Sequence, residues 1–261
     1  MHLRYNSIPH YIKNNTNSFF ETMNFIKNLL KKVLSDEFIS RYRSAYIMYV
    51  KNTKRKYYAA SSKHTQLYGP LSLDPRFVEL DNYTRVMPFN RFISAGGRVI
   101  VKKFTAIGSG CTFVPGSHVP TVGLPQFLSR FHINDIATQL VIEEDVWVGS
   151  NCTFLCKSHV CRGAVIGACS LVTNEVPPYS VVAGNPAKVI ATRFTLEEVL
   201  KHEESLYPAE ERLSRDYLEE LFEKRYKGLR SIGTSKLSVE DRAQIDILKK
   251  KFNIIDYATC K

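Results

Sequence analysis

Large apolar residues recur every six positions through the middle of the chain: Leu80, Val86 and Phe92, then Val101, Ile107 and Phe113, then Ile142, Val148, Phe154, Val160, Ile166 and Val172. Four residues after each of the first eleven stand Thr84, Asn90, Gly96, Thr105, Cys111, Ser117, Val146, Cys152, Ser158, Ala164 and Ser170, nearly all small. One bulky and one small inward position per six residues predicts a triangular prism. Short parallel strands stack along three flat faces, turns form the corners, and eighteen residues complete one coil. A heptad would drift against this period within two turns, and a two-residue strand alternation would not hold the small position fixed. An ordinary sandwich of short strands has no reason to keep the period at all.

The repeat breaks at residues 119–141 (VPTVGLPQFLSRFHINDIATQLV), which carry two prolines and no fixed register. Such a stretch is too long for a prism corner, so it reads as an excursion loop, and long loops on rigid scaffolds are usually functional. It starts directly after His118.

The flanking segments have another character. Residues 1–66 hold Phe19, Met23, Ile26, Leu30 and Val33 at helical spacing, with Lys27, Lys31 and Lys32 beside them, and then the basic run Lys51–Lys56. Residues 194–261 open on a Thr195/Glu198 capping box, continue through Tyr217, Leu218, Leu221 and Phe222, and start a further helix at Ser238 and Asp241. The chain therefore reads as a mainly β domain over 67–193 with N-terminal and C-terminal α-helical extensions.

Charge follows the same division. Of the net +11, residues 1–66 carry +9, residues 67–193 carry +3 and residues 194–261 carry −1. A basic amphipathic segment suits packing against its own domain or a sister subunit, and also peripheral contact with an anionic acceptor or an acidic membrane surface. No run of eighteen apolar residues and no secretory leader stand in the sequence, which predicts a cytoplasmic protein. The six cysteines include no C-x-x-C pair, so reduced thiols are expected. Cys111 and Cys152 fall in the small inward slot, whereas Cys156, Cys161 and Cys169 share no face that would gather metal ligands, and no metal is expected.

IEEDVWVGSNCTFL (142–155) followed by VIGACSLVTNEVPPYSVVAGNPAKVI (165–190) resembles the hexapeptide-repeat acyltransferases, in particular the branch of xenobiotic, galactoside and maltose O-acetyltransferases. The resemblance implies a left-handed parallel β-helix, assembled as a homotrimer, that transfers an acetyl group from acetyl-CoA in clefts between neighbouring prisms. It places the catalytic base at His118, in VPGSHVPT. An imidazole, with an ordinary pKa of about 6.5, is suited to take the proton of an attacking hydroxyl. His132 and His159 read as structural or exposed.

The same resemblance puts Ser150 at the thioester oxyanion, Trp147 along the cleft, Ala168 and Thr173 along the pantetheine arm, and Lys188 at a phosphate. Two positions depart from the family pattern: Asn174 and Ala191 stand where basic residues are found, and Arg193 is expected to substitute. On the acceptor side Asn90 falls near a sugar-contacting asparagine, although a buried amide capping a coil turn fits it equally. Thr121, with Pro120 and Arg130, is expected to face the acceptor from the loop.

The reading is therefore an acetyl-CoA-dependent O-acetyltransferase acting on a sugar hydroxyl of a surface polysaccharide or its precursor, with an antibiotic-modifying enzyme as the alternative. A metal hydratase on the same prism needs two histidines five residues apart, which His118, His132 and His159 do not provide. A non-catalytic protein binding an anionic surface through residues 1–66 is the alternative of another class, and nucleic-acid-binding signatures are absent.

Overall fold

In a computed structural model, the structure describes Tyr42 and residues 64–69, 71, 76–93 and 96–258. The chain divides into two compact units, Met1–Met48 and Tyr49–Lys261. Of the first only Tyr42, exposed and helical, is described, so the helix expected around Phe19–Val33 lies outside the described residues, as does the basic run at 51–56 in the second unit. All that follows concerns the second unit.

Its strands form three sheets that the chain visits in rotation. Val78–Leu80, Arg98–Val101, Gln139–Ile142, His159–Val160 and Glu175–Val176 build the first. Gln66–Leu67, Arg85–Val86, Ala106–Ile107, Trp147–Val148, Val165–Ile166 and Ser180–Ala183 build the second, closed by the antiparallel Lys188–Thr192. Arg91–Phe92, Thr112–Phe113, Thr153–Phe154 and Leu171–Val172 build the third. All other pairs within these three sheets are parallel, so inside the coil no strand turns back on its sheet neighbour until the last.

The register carries the repeat. In the middle coils each strand pairs with residues eighteen further on, Val141 with His159, Trp147 with Val165 and Thr153 with Leu171. The Gln66–Leu67 strand pairs nineteen residues on, Gln66 with Arg85, and in the next coil the step is twenty-one, Val78 with Val99 and Arg85 with Ala106, because three extra residues enter after Phe92.

All twelve residues of the apolar series are buried. Phe92, Phe113 and Phe154 stack face to face along the third sheet, with ring centroids 4.6 and 4.9 Å apart. The small positions are buried as well, with two exceptions. Gly96 and Ser117 are exposed, because each follows a third-sheet strand at a point where the chain leaves the coil.

Buried hydroxyls at the small positions return to the backbone, of their own turn or of the neighbouring coil. Thr84 Oγ1 donates to the Asp81 carbonyl at 2.8 Å, Thr105 Oγ1 to that of Glu143 at 2.7 Å, and Ser170 Oγ to that of Gly167 at 2.6 Å. The slot thus takes Ser and Thr as readily as Ala or Cys, since no donor is left without a partner inside the coil.

Three helices follow the coil: α1 (Leu196–Leu206), α2 (Arg215–Leu221) and α3 (Val239–Phe252). The capping box at α1 forms as the sequence predicts, with Thr195 Oγ1 accepting from the Glu198 amide and Glu198 reaching back to the Thr195 amide. Glu203 of α1 is buried and ties the helix to the coil. Its carboxylate accepts from Tyr179 Oη at 2.6 Å, Arg162 Nη1 at 3.0 Å and the Leu213 amide at 3.0 Å. Burial, with Glu203 alongside, pushes the Tyr179 phenol well above its ordinary range. Among the described residues no helix is long and apolar enough to cross a membrane.

Candidate active site

The excursion is shorter than the sequence suggests. The coil resumes at Gln139–Ile142, where Leu140 and Ile142 are already buried and paired with Val99 and Val101. What leaves the coil is a hairpin: Gly116–His118 pairs antiparallel with Asp135–Ala137, and residues 119–134 form its loop. A 3-10 turn at Gln126–Phe131 and left-handed backbone at His132 and Asn134 shape that loop. Asn134 Nδ2 donates to Thr121 Oγ1 at 2.9 Å, and Thr121 Oγ1 donates to the Val119 carbonyl, so Thr121 fastens the loop's two arms.

Register places His118 opposite Asp135, and their side chains meet: Nδ1 lies 2.7 Å from Oδ1. His132 reaches the other oxygen of the same carboxylate, Nδ1 to Oδ2 at 2.7 Å. A carboxylate only accepts, so each imidazole donates its Nδ1–H, and in the neutral ring the lone pair then stands on Nε2. Hydrogen bonds from His118 and His132 hold the Asp135 carboxyl below the usual carboxylate range. The result is a fixed tautomer on His118, with a basic nitrogen turned away from its anchor.

Neither partner was evident from sequence. Asp135 sits in a loop without register, and only the hairpin pairing brings it to His118; the one available signal was a lone carboxylate at the loop's far end. His132, expected to be structural or exposed, is exposed and shares the carboxylate.

The remaining expected residues fall into two groups. Ser150 and Ala168 are exposed on one corner of successive coils, joined by the Cys169 amide donating to the Ser150 carbonyl at 2.9 Å. Trp147 stands just before that corner on the outer face of the second sheet, with 58% of its surface exposed. Thr173 and Lys188 line a cavity of about 420 Å³ together with Asn174 and Arg225, the last supplied by the helical turn after α2. Arg225 is a second cation there that the repeat could not announce. No described contact joins either group to His118.

Two expectations are corrected. Asn90 is 0% exposed, and all of its amide is used inside the coil: Nδ2 donates to the Met87 and Gly108 carbonyls at 2.7 and 2.9 Å, and Oδ1 accepts from the Cys111 amide at 2.8 Å. It caps a coil turn and does not face an acceptor. Arg193, expected to substitute at a phosphate, has its guanidinium engaged by Asp145 instead, with Nη1 to Oδ2 at 2.8 Å and to the Asp145 carbonyl at 2.7 Å. Asp145 also receives His202 Nε2 at 2.8 Å.

No family model matches the chain. By sequence it is 38% identical over 115 residues to a chloramphenicol acetyltransferase of Klebsiella aerogenes, covering 39% of this chain and 55% of the relative. A probable macrolide acetyltransferase of Lysinibacillus sphaericus is 33% identical over 117 residues, covering 40% of this chain and 65% of the relative. Among solved structures, a hexapeptide-repeat-containing acetyltransferase of Vibrio cholerae O1 biovar eltor, in complex with acetyl-CoA, superposes with a TM-score of 0.49 at 19% identity, covering 61% of this chain and 90% of that one. The chain spans between about half and two thirds of the length of these curated relatives. Over these stretches the chain is similar in sequence to enzymes named as antibiotic acetyltransferases, in agreement with the acyltransferase family that its six-residue repeat resembles.

Proposed function

We propose that the chain is an acetyl-CoA-dependent O-acetyltransferase in which His118 is the general base. The observation that carries this reading is the His118–Asp135 pair: an imidazole held in one tautomer by a carboxylate, on a hairpin that leaves a rigid coil. Asp135 and His132 act as positioning residues. The acceptor hydroxyl gives its proton to His118 Nε2 as its oxygen attacks the thioester carbonyl. The carbon–sulfur bond then breaks, and the CoA thiolate recovers a proton. Positioned proton transfer of this kind contributes roughly 10²–10⁴-fold.

Ser150, through its amide or hydroxyl, is assigned to the developing oxyanion, where a preorganised donor is most effective. Trp147 and Ala168 are assigned to the pantetheine arm, with Thr173, and Lys188 to a phosphate; the cavity joining Thr173, Lys188 and Arg225, in which Arg225 lies 3.7 Å from Glu175, offers Lys188 to an anionic ligand end. Because these residues and His118 are not joined within one chain, the reading includes assembly as a homotrimer of left-handed coils, in which neighbouring chains complete each site. Light scattering on the purified chain tests that assembly, and a stable monomer argues against it.

For the acceptor, a hydroxyl-bearing antibiotic is favoured over the surface sugar expected from sequence. The relatives matched are named for chloramphenicol and macrolide acetylation. The loop beside His118 is also apolar, with Val122, Phe127, Phe131 and Ile133 all exposed. Release of free CoA thiol from acetyl-CoA across a panel of antibiotics, sugars and polysaccharides tests the reading. Turnover with an amphenicol or macrolide supports it, turnover with sugars alone returns the acceptor to the polysaccharide class, and His118→Ala with wild-type turnover removes the proposed base.

A further inference from the structure

On the first sheet, a second set of reactive side chains gathers where the sequence reading placed none. Cys161 was expected to share no face with other metal ligands. Instead Glu143 and Cys161 are eighteen residues apart and therefore stack on successive coils, in the same register as Val141 and His159. His159 stands two residues before Cys161 and so projects on the same side of the sheet, while Val160 between them is buried. His159 Nε2 lies 2.9 Å from Glu143 Oε1, and the other oxygen, Oε2, accepts from the Arg162 amide at 2.9 Å.

We propose that Glu143, His159 and Cys161 form a binding site for a thiophilic divalent cation of the zinc class. One atom from each, a carboxylate oxygen, an imidazole nitrogen and a sulfur, lies within 4.8 Å of the others. Zinc bonds of about 2.0–2.3 Å in a tetrahedral site put donors roughly 3.3–3.8 Å apart, so the donors need to draw in by about 1 Å or less to surround an ion. The three donors are half-buried and stand on two rungs of a parallel coil, so the backbone holds them in place before any ion arrives.

Local charge around the sulfur is balanced before an ion binds. Glu175 pairs in register with His159, so the carboxylates of Glu143 and Glu175 flank the sulfur, offset by Lys102 and by Arg225, which lies 3.7 Å from Glu175. Burial and these carboxylates push the Cys161 thiol up to about 12 in the ion's absence. Binding then exchanges a proton for metal: the thiol gives up its proton to solvent, while the His159 ring carries its proton on Nδ1, which leaves Nε2 and the Glu143 carboxylate to face the ion. A soft thiolate with imidazole and carboxylate selects zinc-like ions over magnesium or calcium. The site would clamp two successive coils of the sheet and lies outside the machinery proposed around His118.

The other group of donors, His118, His132 and Asp135, has no sulfur, which makes the two separable by spectroscopy. The test is titration of the purified full chain with Co²⁺, read by the thiolate-to-cobalt charge-transfer band and by its bleaching when Zn²⁺ is added. The expected result is a band in the wild type, in Cys156→Ser and in Cys169→Ser, its loss in Cys161→Ser, and weaker binding in His159→Ala and Glu143→Gln. Circular dichroism shows whether each variant is folded, and Zn²⁺ should raise the melting temperature of the wild type but not of Cys161→Ser. No band in the wild type, a band that persists in folded Cys161→Ser, or cobalt bound without thiolate character would each overturn the proposal.

Discussion

His118 and Asp135 face each other across a two-stranded hairpin, with Nδ1 of the imidazole 2.7 Å from Oδ1 of the carboxylate. Because the bond fixes which nitrogen carries the proton, Asp135→Asn should damage catalysis more than binding. An amide can offer either its oxygen or its NH₂ to the ring, so the useful tautomer is no longer enforced. We expect kcat to fall by roughly 10²–10⁴-fold in Asp135→Asn, with the KM for acceptor changed much less. Steady-state thiol release at saturating acetyl-CoA measures both constants, and a KM effect without a kcat effect would contradict the positioning role.

The same carboxylate gives a pH dependence of known sign. Its folded pKa is depressed by His118 and His132, so its contribution to stability is present above the ordinary Asp value of about 3.9 and is lost as the pH falls through the lower folded value. Urea denaturation of wild type and Asp135→Asn should therefore show a stability gap near pH 7 that narrows in acid. A gap that widens on acidification would reverse the assignment.

Glu203 and Tyr207 should respond in opposite ways. The buried Glu203 carboxylate accepts from Tyr179, Arg162 and the Leu213 amide, and removing it leaves a half-buried guanidinium and a phenol without that partner. Glu203→Ala is expected to cost about 3–5 kcal/mol. Tyr207 Oη, by contrast, is buried with no hydrogen-bond partner among the described residues, although Arg162 lies over its ring at 4.1 Å. Tyr207→Phe keeps the ring and removes the buried hydroxyl, so it should be neutral or stabilising. Paired thermal melts of the two variants check this.

How far the sequence reaches is clearest around Asn90 and Asp135. The six-residue period is a local signal repeated many times, so it located every residue of the apolar series and, through the coil length, the register of the middle strands. It also marked Asn90, but a slot that must be small or self-satisfied reads the same for a turn cap as for a ligand contact, and only the three hydrogen bonds separate the two. Asp135 carries no period. Its meeting with His118 depends on a hairpin whose loop has one register among many that composition would allow. Cys161 failed for a third reason: donors stacked on neighbouring coils are near in space at a separation of one full coil, which short metal-binding motifs never use.

Asn90→Ala separates the structural role from the acceptor role first read from sequence. The variant strands the Cys111 amide and the Met87 and Gly108 carbonyls inside the coil, for a loss of about 1–3 kcal/mol. Acceptor KM per folded molecule should stay at the wild-type value. A raised KM with unchanged stability would restore Asn90 to the acceptor side.

The phenylalanine ladder offers the sharpest test of what holds the coil together. Phe92, Phe113 and Phe154 stack with interplanar angles of 12° and 8°, although isolated aromatic pairs prefer offset or edge-on contacts. The coil imposes the arrangement: parallel strands lie about 4.7–4.9 Å apart, and the ring centroids, at 4.6 and 4.9 Å, follow that spacing. Phe113 is the middle ring and loses both neighbours when truncated, whereas Phe92 loses one. Phe113→Ala should therefore lie near the top of the range of about 3–5 kcal/mol for such truncations, lowering the melting temperature by roughly 10 °C or more. Phe92→Ala should cost less, and Phe113→Leu, which fills most of the space, less again. Equal losses for Phe113→Ala and Phe92→Ala would mean that burial alone, and not the stack between successive coils, sets the contribution of these rings.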